Sequence, residues 1–174
     1  TPRDLTIDDA GSLRRLPTVR RVAPLAVGTS EIAFGGKLRE VMVAGSTADF
    51  IPIRNFTLAQ GVGLPEEDWN RGSSVAVIGA KIRDEMFGAN PAIGQLVRVG
   101  DRRLRVVGVL ASTGQGLGMN TDELVIVPVS LAQAMFNSNT LFRILVEANN
   151  RDAIEGAKDQ AMVAGADDDA HAAR

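Results

Sequence analysis

VAVIGAKIRDEMFGANPAIGQLVRVGDRRLRVVGVL, residues 75–110, decides the fold, because it carries a punctuation signal at every join. Residues 75–78 read as a short β-branched strand that Gly79 ends, and residues 80–87 as a brief helix with Ile82, Met86 and Phe87 on one side. Gly88 and Pro91 then stop the helix in the usual order. Val97 and Val99 alternate with polar neighbours, and Gly100-Asp101 signals a two-residue hairpin. Leu104, Val106, Gly108 and Leu110 are expected to share one face of the returning strand. Such a unit is rigid and supplies no catalytic chemistry.

Upstream, Thr6 reads as an N-cap with Asp9 at the third helical position, and the helix runs to about Leu16, before Pro17. Residues 19–27 form a strand in which Pro24, lacking a backbone donor, points to an edge or a bulge. Segments 30–34 and 37–44 are joined by Gly35-Gly36, a strong hairpin signal that sets Ile32 and Phe34 against Val41 and Val43 or their neighbours. Composition shifts near Asn55, ahead of a Gly-rich, acidic loop at 61–68 whose Glu66, Glu67 and Asp68 follow Pro65 as the first turn of a helix. Downstream, residues 112–120 have no periodicity and read as a mobile loop. A strand at 124–129, a helix at 130–136 capped by Ser130, a strand at 141–147 and a helix at 150–160 with Ala153, Ile154 and Ala157 on one side complete the chain. The expected fold class is α+β: a mixed helix/strand lobe from residues 1–54 and 112–174, with a small β-rich lobe inserted at 55–111.

Composition narrows the chemistry. A chain of 174 residues, 45% hydrophobic, can bury a sizeable core without staples. The absence of cysteine excludes disulfides and thiolate chemistry while leaving the redox compartment open. Nineteen basic against 21 acidic residues leave no basic field for a phosphate backbone, so nucleic acid is not an expected partner. His171, the single histidine, sits in an Ala/Asp tail, where neither a histidine triad nor a multi-histidine metal site can be assembled from one chain. No apolar run approaches the roughly 18 residues that cross a bilayer. With no initiator Met and no charged leader, the sequence is expected to be an excised fragment or a mature piece.

Several motifs invite a functional reading. Gly114-Gln115-Gly116-Leu117-Gly118 follows a strand as a dinucleotide loop would, but such a loop must open directly into a helix, and Asn120-Thr121-Asp122 leads into another strand. Paired carboxylates at Asp8-Asp9, Glu66 to Asp68 and Asp167 to Asp169 have plain explanations in helix starts or a solvated tail. Asp122-Glu123, between a loop and a strand, is the pair to watch. No serine sits in Gly-x-Ser-x-Gly, and Lys81 reads as a solvated helix residue. Trp69, the sole tryptophan, reads as a cap over the lobe in preference to an exposed anchor. No catalytic, cofactor-binding or metal-binding residue is assigned. The candidate partner-contact loop is Gly114, Gln115, Gly116, Leu117, Gly118 and Met119.

The order of strand, Gly79, helix ending in Phe87-Gly88, then Pro91-Ala92-Ile93-Gly94-Gln95 resembles the core of the MacB-type periplasmic domain of ABC transporter permeases, in the MacB/FtsX/LolC-like superfamily. Leu5-Thr6-x-x-Asp9-Ala10, Leu16-Pro17-x-Val19-x-x-Val22-x-Pro24, the run from Asp122 to Pro128 and Ile144-Leu145-Val146 are similar to the family too, so the resemblance covers about residues 5–158. It implies an extracytoplasmic domain set between two transmembrane helices of a cell-membrane permease, without enzymatic activity or cofactor of its own. Its role would be mechanotransmission: ATP binding at a cytoplasmic ATPase subunit or domain moves the membrane helices, and the domain relays that motion to a periplasmic adaptor or a lipoprotein or other cargo, in a permease dimer. Drug or toxin efflux, lipoprotein release and control of cell-wall hydrolases all fit. After Gln160 the family continues through a longer helix and another strand, whereas residues 161–174 are short and Ala/Asp-rich, which leaves the second half of the mixed lobe open. The competing reading is a stand-alone extracytoplasmic peptide- or lipid-binding module using the face around 112–120.

Overall fold

The computed structural model describes residues 4–112 and 120–149. Helix α1 (Ile7–Arg14) opens with a complete capping box: the Asp9 amide donates to Thr6 Oγ1 at 3.3 Å, and the Thr6 amide donates to Asp9 Oδ2 at 2.9 Å. Strand β1 (Val19–Phe34) is one strand of 16 residues where two segments were expected. It stays extended because it changes partners halfway, pairing through Leu25 with β8 (Arg143–Ala148) and from Ala26 with β2 (Lys37–Ser46). Gly35 and Gly36 close that hairpin at φ 57° and 81°, the positive values a tight turn demands. Pro24 lies at the handover, opposite Ile144, and its carbonyl accepts from Ser46 Oγ at 2.6 Å. The register shift on that side falls between Val19 and Arg21 instead.

Helix α2 (Phe50–Arg54) and strand β3 (Leu58–Gly61) occupy a stretch in which the sequence signalled neither. The expected helical turn after Pro65 is absent; Glu67 instead accepts from Ser73 Oγ at 2.6 Å and from the Ser73 amide at 3.2 Å, which fastens the loop to itself. Strand β4 (Val75–Ile78), helix α3 (Ala80–Phe87), strand β5 (Leu96–Val99) and strand β6 (Arg102–Leu110) follow the sequence reading closely. A 3-10 turn (Thr121–Glu123) leads into β7 (Leu124–Pro128) and α4 (Val129–Met135). Pro128 stands at the N-cap of α4, so Ser130 lies inside the first turn and caps nothing. The helix expected at 150–160 lies outside the described residues.

The strand pairings close on themselves, from β1 to β2, β7, β4, β6, β5 and back to β1. Strands β8 and β3 hang from this ring on β1 and β6. Segment 55–111 contributes β3 to β6, and it meets the flanking segments through the β4–β7 and β1–β5 ladders.

Strand β7 is buried along its whole length, so its alternating side chains feed two cores. Val125 and Val127 join the first, with Ile32, Val43, Ile78, Phe87, Val99, Leu104 and Val106; Leu124 and Ile126 join the second, with Phe50, Ile51, Ile53 and Val77. Leu110 corrects the expected face. Ala76 pairs with Val106 but Val77 pairs with Gly108, so Val107 is an extra residue that reverses the alternation. Val109 then faces the first core and Leu110 the second.

Candidate partner-contact surface

The contact loop 114–119 lies outside the described residues, whereas its neck is described on both sides. Ser112 Oγ donates to Asp122 Oδ2 at 3.0 Å and ties the two flanks together. Asn120 caps the following turn: its Oδ1 accepts from the Asp122 amide at 3.1 Å, and its Nδ2 donates to Glu123 Oε2 at 3.0 Å. Beneath, the Gly79 amide donates to the Leu124 carbonyl at 2.8 Å, and a Cβ at Gly79 would fall 2.1 Å from the Thr121 carbonyl oxygen. Only glycine lets the start of α3 approach the neck this closely.

Charge fastens the neck to the ring. Glu123 forms an ion pair with Arg39 of β2, and Lys81 Nζ of α3 stands 3.6 Å from Glu123 Oε1. Arg39 also reaches Glu85 Oε1 of α3 at 2.7 Å. The Arg39 hydrogen bond, with the nearby Lys81 charge, holds the Glu123 carboxyl below the usual carboxylate range. A carboxylate so held is a poor proton donor near neutral pH, and its neighbour Asp122 is engaged in closing the neck. Both carboxylates are thus engaged in tying the neck to its surroundings. An open groove of about 420 Å³ runs beside it, lined by Thr29, Arg39, Met42, Asn120 and Glu123.

Arg39 and Glu85 carry no sequence signal, since each is an ordinary polar position on a strand or helix until the fold sets it beside Glu123. Lys81, expected to be merely solvated, joins the same cluster. Trp69 is half-buried against the first core, with the Arg14 guanidinium 4.9 Å from the ring centre, so it acts as a cap. Among the described residues no cluster of His, Cys, Asp or Glu has the arrangement of a metal site, and no helix is long and apolar enough to cross a membrane.

The family described as MacB-like periplasmic core domain matches residues 1–162. The chain belongs to this family. It is an extracytoplasmic domain of the kind carried by ABC transporter permeases. Among curated relatives, the pyoverdine export ATP-binding/permease protein PvdT of Pseudomonas entomophila is 36% identical over 131 residues, covering 74% of this chain and 20% of the relative. Its namesake from Pseudomonas aeruginosa is 30% identical over 161 residues, covering 90% and 24%. The chain thus spans about a fifth to a quarter of the length of these relatives. Among solved structures, the periplasmic region of MacB from Actinobacillus actinomycetemcomitans aligns with a TM-score of 0.78 at 19% identity, over 92% of this chain and 73% of that one. The extracellular domain of the noncanonic ABC-type transporter YknZ from Gram-positive bacteria aligns with a TM-score of 0.77 at 20% identity, over 97% and 86%. At these identities the structural likeness speaks for the fold.

Proposed function

We propose that this MacB-like domain is a stiff relay within an ABC transporter permease, carrying motion from the membrane helices to an adaptor or captured cargo at the 114–119 loop. One observation carries the reading. The described chain enters and leaves side by side: Leu5 bridges Leu141, the Asn149 amide donates to the Thr18 carbonyl at 3.0 Å, and Asn149 Nδ2 donates to the Pro17 carbonyl at 2.7 Å. From that point β1 runs unbroken to Thr29, opposite Met42, which is itself opposite Leu124 at the loop neck. At about 3.3 Å per residue, this is on the order of 30 Å of continuous strand between the entry point and the neck. A displacement applied at Val19 therefore reaches the loop through paired backbone.

The name of the curated relatives supports export as the larger protein's activity, with an ATP-binding part as energy source; a permease dimer as the working unit is part of the proposal. The test belongs in the full-length permease. Replacing 114–119 by a Gly/Ser segment of equal length should abolish export while ATP hydrolysis continues; the pair Arg39→Ala with Lys81→Ala, which loosens the neck, should lower export partially. Undiminished export in the loop replacement, with the variant present in the membrane at the parental level, would remove the relay reading. A domain that instead retained a peptide or lipid after purification would point to the binding module.

A further inference from the structure

The hairpin of β5 and β6 presents a second surface, remote in sequence from the loop. Its register sets Leu96 opposite Arg105 and Arg98 opposite Arg103; Ala33 lies opposite Arg98, and Leu38 opposite Ala33. Val97, Val99 and Leu104 are buried in the first core, so alternation turns Leu96, Arg98, Arg103 and Arg105 outward, and all four are exposed. Like charges directly opposite each other in an antiparallel pair repel. Among the described residues no carboxylate forms an ion pair with Arg98, Arg103 or Arg105. Glu31, nearest by register, stands directly opposite Glu40, and Arg98 turns to the Gly100 carbonyl instead. Arg105 Nη1 likewise donates to the Gly94 carbonyl at 2.6 Å. These two bonds hold the guanidinium groups at either end of β5 and leave most of their donors free.

From this grid we infer that the outer face of the β5–β6 hairpin docks an acidic polypeptide segment in extended conformation. Arg103 and Arg105 are two residues apart on one strand, about 7 Å, which is the spacing of side chains on one face of an extended partner. Carboxylates at that spacing meet guanidinium groups that donate to them bidentately. An apolar residue beside them finds Leu96, 44% exposed. A uniformly anionic bilayer would also press charge onto Glu31 and Glu40, whereas a segment one strand wide can avoid them. The inference goes beyond the relay reading and does not depend on it, since binding is measured without transport.

The test is fluorescence anisotropy of the 174-residue chain with a labelled Glu-Val alternating octapeptide, a Lys-Val counterpart, and competing phosphatidylglycerol vesicles. The acidic peptide should bind, more weakly as salt rises from about 20 to about 300 mM, and the basic peptide should not. Arg103→Glu with Arg105→Glu should weaken binding at least about tenfold, while Arg71→Glu, at an exposed arginine elsewhere, should leave it unchanged. Should the double variant fail to fold, the milder Arg103→Gln should still weaken binding a few-fold. No binding of the acidic peptide, equal loss in Arg71→Glu, or vesicle binding that the same two arginines govern would each overturn the inference.

Discussion

Val77, Leu124 and Ile126 are wholly buried on the outer face of the strand ring, while Leu96, Arg98, Arg103 and Arg105 stand in solvent on that same face. Both regions are regular strands with alternating side chains. What separates them is the covering layer. Phe50, Ile51 and Ile53 of α2, with Leu64, pack over the first region, and nothing among the described residues packs over the second. The difference teaches that a sheet face is apolar where the chain itself brings a lid, and can carry like-charged pairs where it brings none. On the other face, where Arg39 stands opposite Ile32 of the first core, the Arg39, Glu123, Lys81 and Glu85 cluster secures the loop neck with charge.

The sharpest way to break this comparison is at its buried end. Ile126→Ala should cost about 2–5 kcal/mol, because the lid cannot collapse fully onto the vacated volume, and thermal melts should drop by many degrees. A cost below about 1 kcal/mol would mean that the second core is not the packed layer described. Gly79→Ala comes next, at about 1–3 kcal/mol, since its Cβ must displace the Thr121 carbonyl; denaturant unfolding reads this directly.

At the loop neck the expected effect is a pH dependence. Glu123 has a lowered folded-state pKa, so its contribution to stability is complete above the ordinary carboxylate range and fades as pH falls through the lowered value. Glu123→Gln should flatten the stability profile in that acidic window, and an unchanged acid limb would show that the pair adds nothing. The smallest effects belong to the open half. Leu96→Ala should shift stability by less than about 0.5 kcal/mol. Arg103→Glu, which turns a repulsive cross-strand pair into an attractive one, should raise stability by about 0.5 kcal/mol while weakening peptide capture several-fold.

Much of the molecule was legible locally. The capping box at Thr6 and Asp9, the Gly35-Gly36 turn, and the strand, helix and hairpin of 75–110 are signals whose physics is complete within a few residues. Helix α2 escaped notice because five residues carry too little periodicity, and its reason to be helical is the core that Phe50, Ile51 and Ile53 enter. Ser130 misled because the helix takes Pro128 as its N-cap, two residues earlier. Of the functional surface, Asp122 and Glu123 drew attention from their place between loop and strand, whereas Arg39 and Glu85 did not. A charged residue on a strand looks alike whether it ends in water or beside a partner more than eighty positions away.

The sequence by itself determined most of the elements and their order, though not α2 or β3, and a charge balance with no cysteine and one histidine, because each depends on residue type and near neighbours. The tertiary structure alone decided that the strands close into a ring, that one extra residue at Val107 sends Val109 and Leu110 to different cores, and that one half of the outer face is covered and the other bare. Those outcomes depend on pairing between distant segments, where a single step of register reverses which side a residue faces.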